Sequence, residues 1–84
     1  MLEDDIKELW DLGGGTFPWR QFNAASAQRY FDGATFHDHP ERWRLSIKTK
    51  RLVKENLFEA LCSPNEYIRE WGRLVMKEQE DARR

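Results

Sequence analysis

Cys62 is the only cysteine in 84 residues, and this constrains the fold more than any other feature. A domain of this length buries only about 60–65% of the surface its unfolded chain exposes. Domains with so little core are commonly stapled by disulfides, and a lone cysteine forbids an internal staple. The fold must therefore rest on side-chain burial alone. The chain carries four Trp, two Tyr and five Phe for that purpose, and such rings bury roughly 150–250 Å² each.

The single cysteine also points to a reducing compartment. The opening stretch MLEDDIKELW is acidic, whereas a secretory leader begins basic and runs into an apolar segment. No apolar run approaches the ~18–20 residues of a membrane span. These features predict a cytoplasmic protein without membrane contact, folded as one domain over residues 1–84.

Composition favours helices. Val, Ile and Thr number only eight, and sheets prefer these branched residues. Leu, Ala, Glu, Arg, Lys and Gln, the good helix formers, dominate. The prediction is a mainly α, compact three- to four-helix domain, with a short β-hairpin or strand near residues 42–50 as the one open alternative.

Hydrophobic spacing places the elements. Leu2, Ile6, Leu9, Trp10 and Leu12 predict a first helix over 2–12, stopped by Gly13-Gly14-Gly15. That triple glycine is no phosphate-binding loop, because no strand precedes it and no Gly-Lys-Ser/Thr follows. TFPWRQF, residues 16–22, reads as an irregular segment around Pro18 whose rings pack on the core. A second helix spans 23–33, with Asn23 or Ser26 as cap, an inward stripe of Ala24, Ala27, Tyr30 and Phe31, and Gly33 as stop. Residues 34–41 form a loop ending at Pro40, with Asp38 as a cap for the next helix.

Residues 42–50, RWRLSIKTK, support two readings. Trp43, Leu45, Ile47 and Thr49 alternate with polar residues, the pattern of a half-buried strand. A helix from Pro40 instead places Leu45, Thr49, Leu52, Val53, Asn56, Leu57, Ala60 and Leu61 on one stripe. A lone strand needs a partner, which favours the helix. The last helix opens on Ser63-Pro64-Asn65-Glu66, a capping box with Ser63 as cap and Glu66 three residues on. Tyr67, Ile68, Trp71, Leu74 and Val75 then follow at helical spacing. Gly72 permits another element to approach closely, and the polar tail over 77–84 is expected to fray.

The net charge of −1 hides strong segregation. Residues 1–12 hold five acids against one base, residues 42–54 six bases and no acid, and residues 55–66 three acids and no base. Segregated faces of this kind steer charged partners or pair with each other.

The basic block Arg42, Arg44, Lys48, Lys50, Arg51 and Lys54, with Trp43 inside it, is the first candidate site. Phosphate backbones bind such clusters through counterion release, and Trp43 can stack on an unpaired base. As a strand, Arg42, Arg44, Lys48 and Lys50 share a face. As a helix, Arg44, Lys48 and Arg51 share one, and Lys50 and Lys54 another. The opposing reading is a solvated face, with some bases paired to the acids of residues 3–11 or to Glu55 and Glu59. Trp19 and Arg20 form a second candidate, since Trp and Arg are favoured interface anchors.

His37-Asp38-His39, with Asp32 and Glu41 nearby, resembles a metal set only weakly, because a structural zinc site wants four ligands. No metal and no cofactor are expected. No nucleophile elbow or Ser/His/Asp signature appears, and Cys62 reads as a small core residue, so no catalysis is expected. Leu9, Trp10, Phe58, Trp71 and Met76 are a surplus of large apolar groups for so small a core. A leftover apolar patch marks a partner surface or a homodimer seam. The reading is a non-catalytic protein-binding module (adaptor, inhibitor or assembly subunit, of a size common in phages and mobile elements) acting on a larger protein or complex. The alternative is a nucleic-acid-binding regulator using Arg42–Lys54.

Overall fold

The computed structural model describes residues 1–13, 17, 19–36 and 38–83. Gly14, Gly15, Thr16 and Pro18 of the expected helix stop and aromatic segment lie outside them, as do His37 of the histidine pair and Arg84 of the tail. The chain forms α1 (Leu2–Leu12), α2 (Ala24–Phe31), a 3-10 turn (Gly33–Phe36), α3 (Pro40–Glu55), α4 (Leu57–Leu61) and α5 (Glu66–Ala82).

Helix α1 has Glu3, Asp4 and Asp5 in its first turn, where the helix dipole favours negative charge. No local side chain caps it. Instead the Leu2 amide donates to Glu59 Oε2 of α4 at 2.6 Å, so a helix end is satisfied across the fold. Leu2, Ile6 and Trp10 turn inward. Gly13 closes the helix, and a Cβ there would lie 2.6 Å from Leu45 Cδ2.

Asn23 caps α2, its side chain accepting from the Ala25 and Ser26 amides at 2.9 and 3.2 Å. Ala27 and Phe31 are buried. Ala24, expected on the inward stripe, is exposed. The helix stops at Asp32, and Gly33 opens the 3-10 turn rather than closing α2.

Residues 42–50 are helical throughout, and no strand occurs among the described residues. The alternating pattern misleads because helical geometry splits its members. Leu45 and Thr49 turn inward, while Trp43 and Ile47 turn out. The inward stripe of α3 is Leu45, Ser46, Thr49 and Val53. Two of these are polar, which hides the helical period, and both hydroxyls are satisfied. Ser46 Oγ donates to the Tyr30 carbonyl at 2.8 Å, and Thr49 Oγ1 donates to the Leu45 carbonyl at 2.7 Å. Pro40 stands at the first turn, where a missing amide costs nothing. His39, not Asp38, occupies the cap position, and without a side-chain cap bond.

The single long stripe expected through Leu61 is broken at Asn56. Its side-chain Nδ2 donates to the Leu52 carbonyl at 2.9 Å, and its backbone leaves the helical region at φ −127°, ψ 43°. Asparagine competes for backbone groups in this way and favours helix ends. Among the described residues there are therefore five α-helices rather than three or four. Ala60 is buried, Phe58 is 82% exposed, and Cys62 is exposed rather than in the core.

The capping box also resolves differently. Helix α5 is capped by Asn65, whose side chain accepts from the Tyr67 and Ile68 amides at 2.9 and 3.2 Å. Ser63 Oγ accepts from the Asn65 amide at 3.1 Å and so shapes the preceding turn. Asn and Ser are caps of similar strength, but Asn65 gains a tertiary contact, donating from Nδ2 to Glu3 Oε1 at 3.2 Å. The tail does not fray at residue 77. It stays helical to Ala82, held where Lys50 Nζ meets Glu78 Oε2 at 3.0 Å.

One core joins these elements: Leu2, Ile6, Trp10, Ala27, Phe31, Leu45, Val53, Ala60, Tyr67, Ile68, Trp71 and Val75. The radius of gyration, 12.1 Å, is close to the ~12 Å of a compact chain of this length. Phe17 is the hub of the rings. It lies 5.2 Å from Trp10, 4.6 Å from Tyr30, 4.9 Å from Tyr67 and 4.2 Å from Trp19, ring centre to ring centre. Trp10 is fully buried, and its Nε1 donates to Thr49 Oγ1 at 2.9 Å, joining α1 to α3. Gly72 lets α4 close on α5, since a Cβ there would lie 3.1 Å from Leu61 Cδ2 and 3.4 Å from Ala60 Cβ.

Candidate partner-binding surface

The inward stripe of α3 fixes where its basic residues go. With Leu45, Ser46, Thr49 and Val53 against the core, helical geometry turns Trp43, Arg44, Ile47, Lys48, Arg51 and Lys54 outward, and all six are exposed. Trp43 and Ile47 sit one turn apart, 46% and 47% exposed. Arg44, Lys48 and Arg51 form an adjacent row at helical spacing, and Lys54 extends the ridge toward its end.

The six bases do not act as one block. Lys50 is diverted from the ridge: its Nζ pairs with Glu78 and lies 4.2 Å from the centre of the Phe31 ring. Arg42 is half-buried, its guanidinium 5.9 Å from the Phe36 ring centre. These two hold α3 to its neighbours. Arg44, Lys48, Arg51 and Lys54 make no ion pair among the described residues. The alternative pairing of these bases with the acids of residues 3–11, or with Glu55 and Glu59, is not found among the described residues. Glu3 instead pairs with Lys7 at 3.2 Å, and Glu59 is taken by the Leu2 amide.

Trp43 is held by packing rather than left to swing. Its Cδ1 would lie 2.5 Å from a Cβ at Gly33, so the glycine makes room for the indole at the 3-10 turn. An aromatic fixed on one side and open on the other is pre-ordered for contact, which reduces the entropy lost on binding. Ile47 belongs to this ridge and was missed in the sequence, because the strand-like alternation grouped it with the inward Leu45 and Thr49. Helical spacing from Trp43 was the available signal.

Trp19 and Arg20 are not brought to this ridge. Trp19 is half-buried, stacked on Phe17, edge-on to Tyr67 at 6.1 Å and with Lys7 Nζ 5.6 Å from its ring centre. It works mainly as a core ring. Arg20 is exposed beside an open groove of about 860 Å³ that Phe17, Trp19, Phe22 and Tyr67 help to line, with no residue of α3 in it. Tyr67 Oη donates to the Gln21 carbonyl at 2.8 Å, tying this segment to α5.

Of the histidine pair, His39 alone lies among the described residues. His39 is exposed, its Nδ1 3.8 Å from Glu41 Oε1. Among the described residues no three His, Cys, Asp or Glu side chains gather as a metal set. Of the apolar surplus, Trp10 and Trp71 are buried, Leu9 is half-buried, and Phe58 and Met76 remain exposed. No described helix is long and apolar enough to cross a membrane. The titration of Glu3 is shifted. Its carboxyl is held below the ordinary value of 4.5, first by the hydrogen bond from Asn65 and then by Lys7. No protein family, curated protein or solved structure matches the chain.

Proposed function

We propose that this protein is a non-catalytic protein-binding module, acting as an adaptor, inhibitor or assembly subunit, and that the outward ridge of α3 docks on an acidic surface of a larger protein. The observation that carries this reading is the combination on one helix face of exposed Trp43 and Ile47 with Arg44, Lys48, Arg51 and Lys54, which have no ion-pair partner among the described residues. Apolar anchors one turn apart are how a helix seats in a groove. Cations at the rim select an acidic partner and speed its approach. Trp and Arg are also the residues that most often dominate binding energy.

Four cations without an ion-pair partner among the described residues, beside an open indole, also suit a nucleic acid, which is the second reading. The overall charge of −1 weighs against it, since dedicated nucleic-acid domains are usually basic. One experiment separates the two. With a photo-crosslinking residue in place of Ile47, the protein in its source cells should crosslink to a defined acidic protein, and the same probe at exposed Ala25 should not. Crosslinks from position 47 to DNA or RNA would transfer the assignment to the second reading. Equal crosslinking from both positions would remove the ridge as the site.

A further inference from the structure

The chain itself displays an acidic row that matches the cationic one. On α1, Asp4, Glu8 and Asp11 are exposed and make no ion pair among the described residues. They are spaced i, i+4, i+7, the same spacing as Arg44, Lys48 and Arg51 on α3. Each row therefore runs about 10 Å along its helix. Leu12, 81% exposed, extends the acidic helix with an apolar side chain, as Trp43 and Ile47 do beside the basic row.

We infer that a second copy of this chain covers the α3 ridge, with α1 of each copy lying along α3 of the other. Helices α1 and α3 are neighbours in one molecule, joined by the Trp10–Thr49 bond. A two-fold axis can therefore set both pairings at once and close the assembly. Lone surface ion pairs hold little, so the apolar side chains Trp43, Ile47 and Leu12 supply the burial, while the two charge rows set register and orientation. Glu8 and Lys48 are the middle members of their rows and face each other whether the helices run parallel or antiparallel.

The inference does not depend on the identity of any other partner, because it concerns the purified chain alone. It adds a consequence for the α3 ridge: self-association and partner docking exclude one another.

Analytical ultracentrifugation of the full chain over a concentration series tests it. The expected result is a reversible dimer that weakens at least tenfold from about 0.1 M to about 1 M salt, as the screening length falls from ~10 to ~3 Å. Glu8→Lys and Lys48→Glu should each weaken the dimer at least tenfold, with circular dichroism confirming the fold. The double swap, which restores opposite charges at the same place, should recover affinity to within about threefold, as contacting pairs are non-additive. A chain that stays monomeric at low salt at every concentration overturns the inference. So does a dimer indifferent to both reversals, or a double swap no better than the singles. Crosslinking from position 47 to another protein is read separately, so either reading can fail without the other.

Discussion

Thr49 illustrates how much one side chain decides in so small a core. Its hydroxyl accepts from the buried Trp10 Nε1 and donates to the Leu45 carbonyl. Thr49→Val keeps the shape but leaves the indole N–H without a partner, so it should cost about 1–3 kcal/mol, read as a lower denaturant midpoint. Thr49→Ser, which keeps the hydroxyl, should cost less. Asn65 joins a helix cap to a tertiary bond with Glu3, and Asn65→Ala should cost about 1–2 kcal/mol at neutral pH. It should also change the acid limb of stability. The folded carboxyl of Glu3 lies below its ordinary 4.5, so the unfolded chain takes up the proton first. The stability it contributes is complete above that ordinary value and is lost as pH falls through the lower folded value. In Asn65→Ala this loss should shrink, visible as a flatter pH dependence of the unfolding free energy below pH ~5.

Among elements, the α4–α5 contact depends on the absence of a side chain at Gly72. The nearest neighbour there, Leu61, is half-buried and has room to shift, but Ala60 is fully buried. Gly72→Val should therefore overpack this contact and cost about 1–3 kcal/mol, measured by thermal or chemical unfolding. Gly72→Ala should cost less, because a helix propensity gain of about 1 kcal/mol offsets the crowding. The elements themselves were largely legible. Alternating Leu, Ile and Trp at helical spacing located α1, and the stripe Tyr67, Ile68, Trp71, Val75 located α5. What the spacing did not show was where elements break. Asn56 divides α3 from α4 by capping with its own side chain, and Asn65 outcompetes Ser63 because it reaches Glu3 on another helix.

For the whole molecule, charge divides between residues that tie the fold together and residues left on the surface. Lys50 and Arg42 serve the fold, through Glu78, Phe31 and Phe36. Arg51 and Lys54 are exposed and unpaired among the described residues, so reversing both to Glu should change unfolding free energy by no more than about 0.5 kcal/mol. The same pair of substitutions should abolish the crosslink from position 47. A large loss of stability with crosslinking intact would mean that these side chains serve the fold instead. Lys50→Glu should behave in the opposite way, loosening the end of α5 around Glu78, which hydrogen exchange of the α5 amides would report.

The sequence by itself determined that the chain is helical, that most of its rings pack in or against the core, and that its positive charge gathers on residues 42–54. These follow from local propensity, hydrophobic period and linear composition, which need no knowledge of neighbours. Only the tertiary structure decided which bases remain free. A base at position 50 and a base at position 51 are equivalent in sequence, but a helix turns them about 100° apart. One meets Glu78 and the Phe31 ring; the other meets no ion-pair partner among the described residues. The same rotation sent Ile47 outward beside Trp43 and took Thr49 inward to Trp10. The exposed ridge of α3 is thus the complement of its core stripe, and the buried hydroxyls of Ser46 and Thr49 mark which face of α3 is packed.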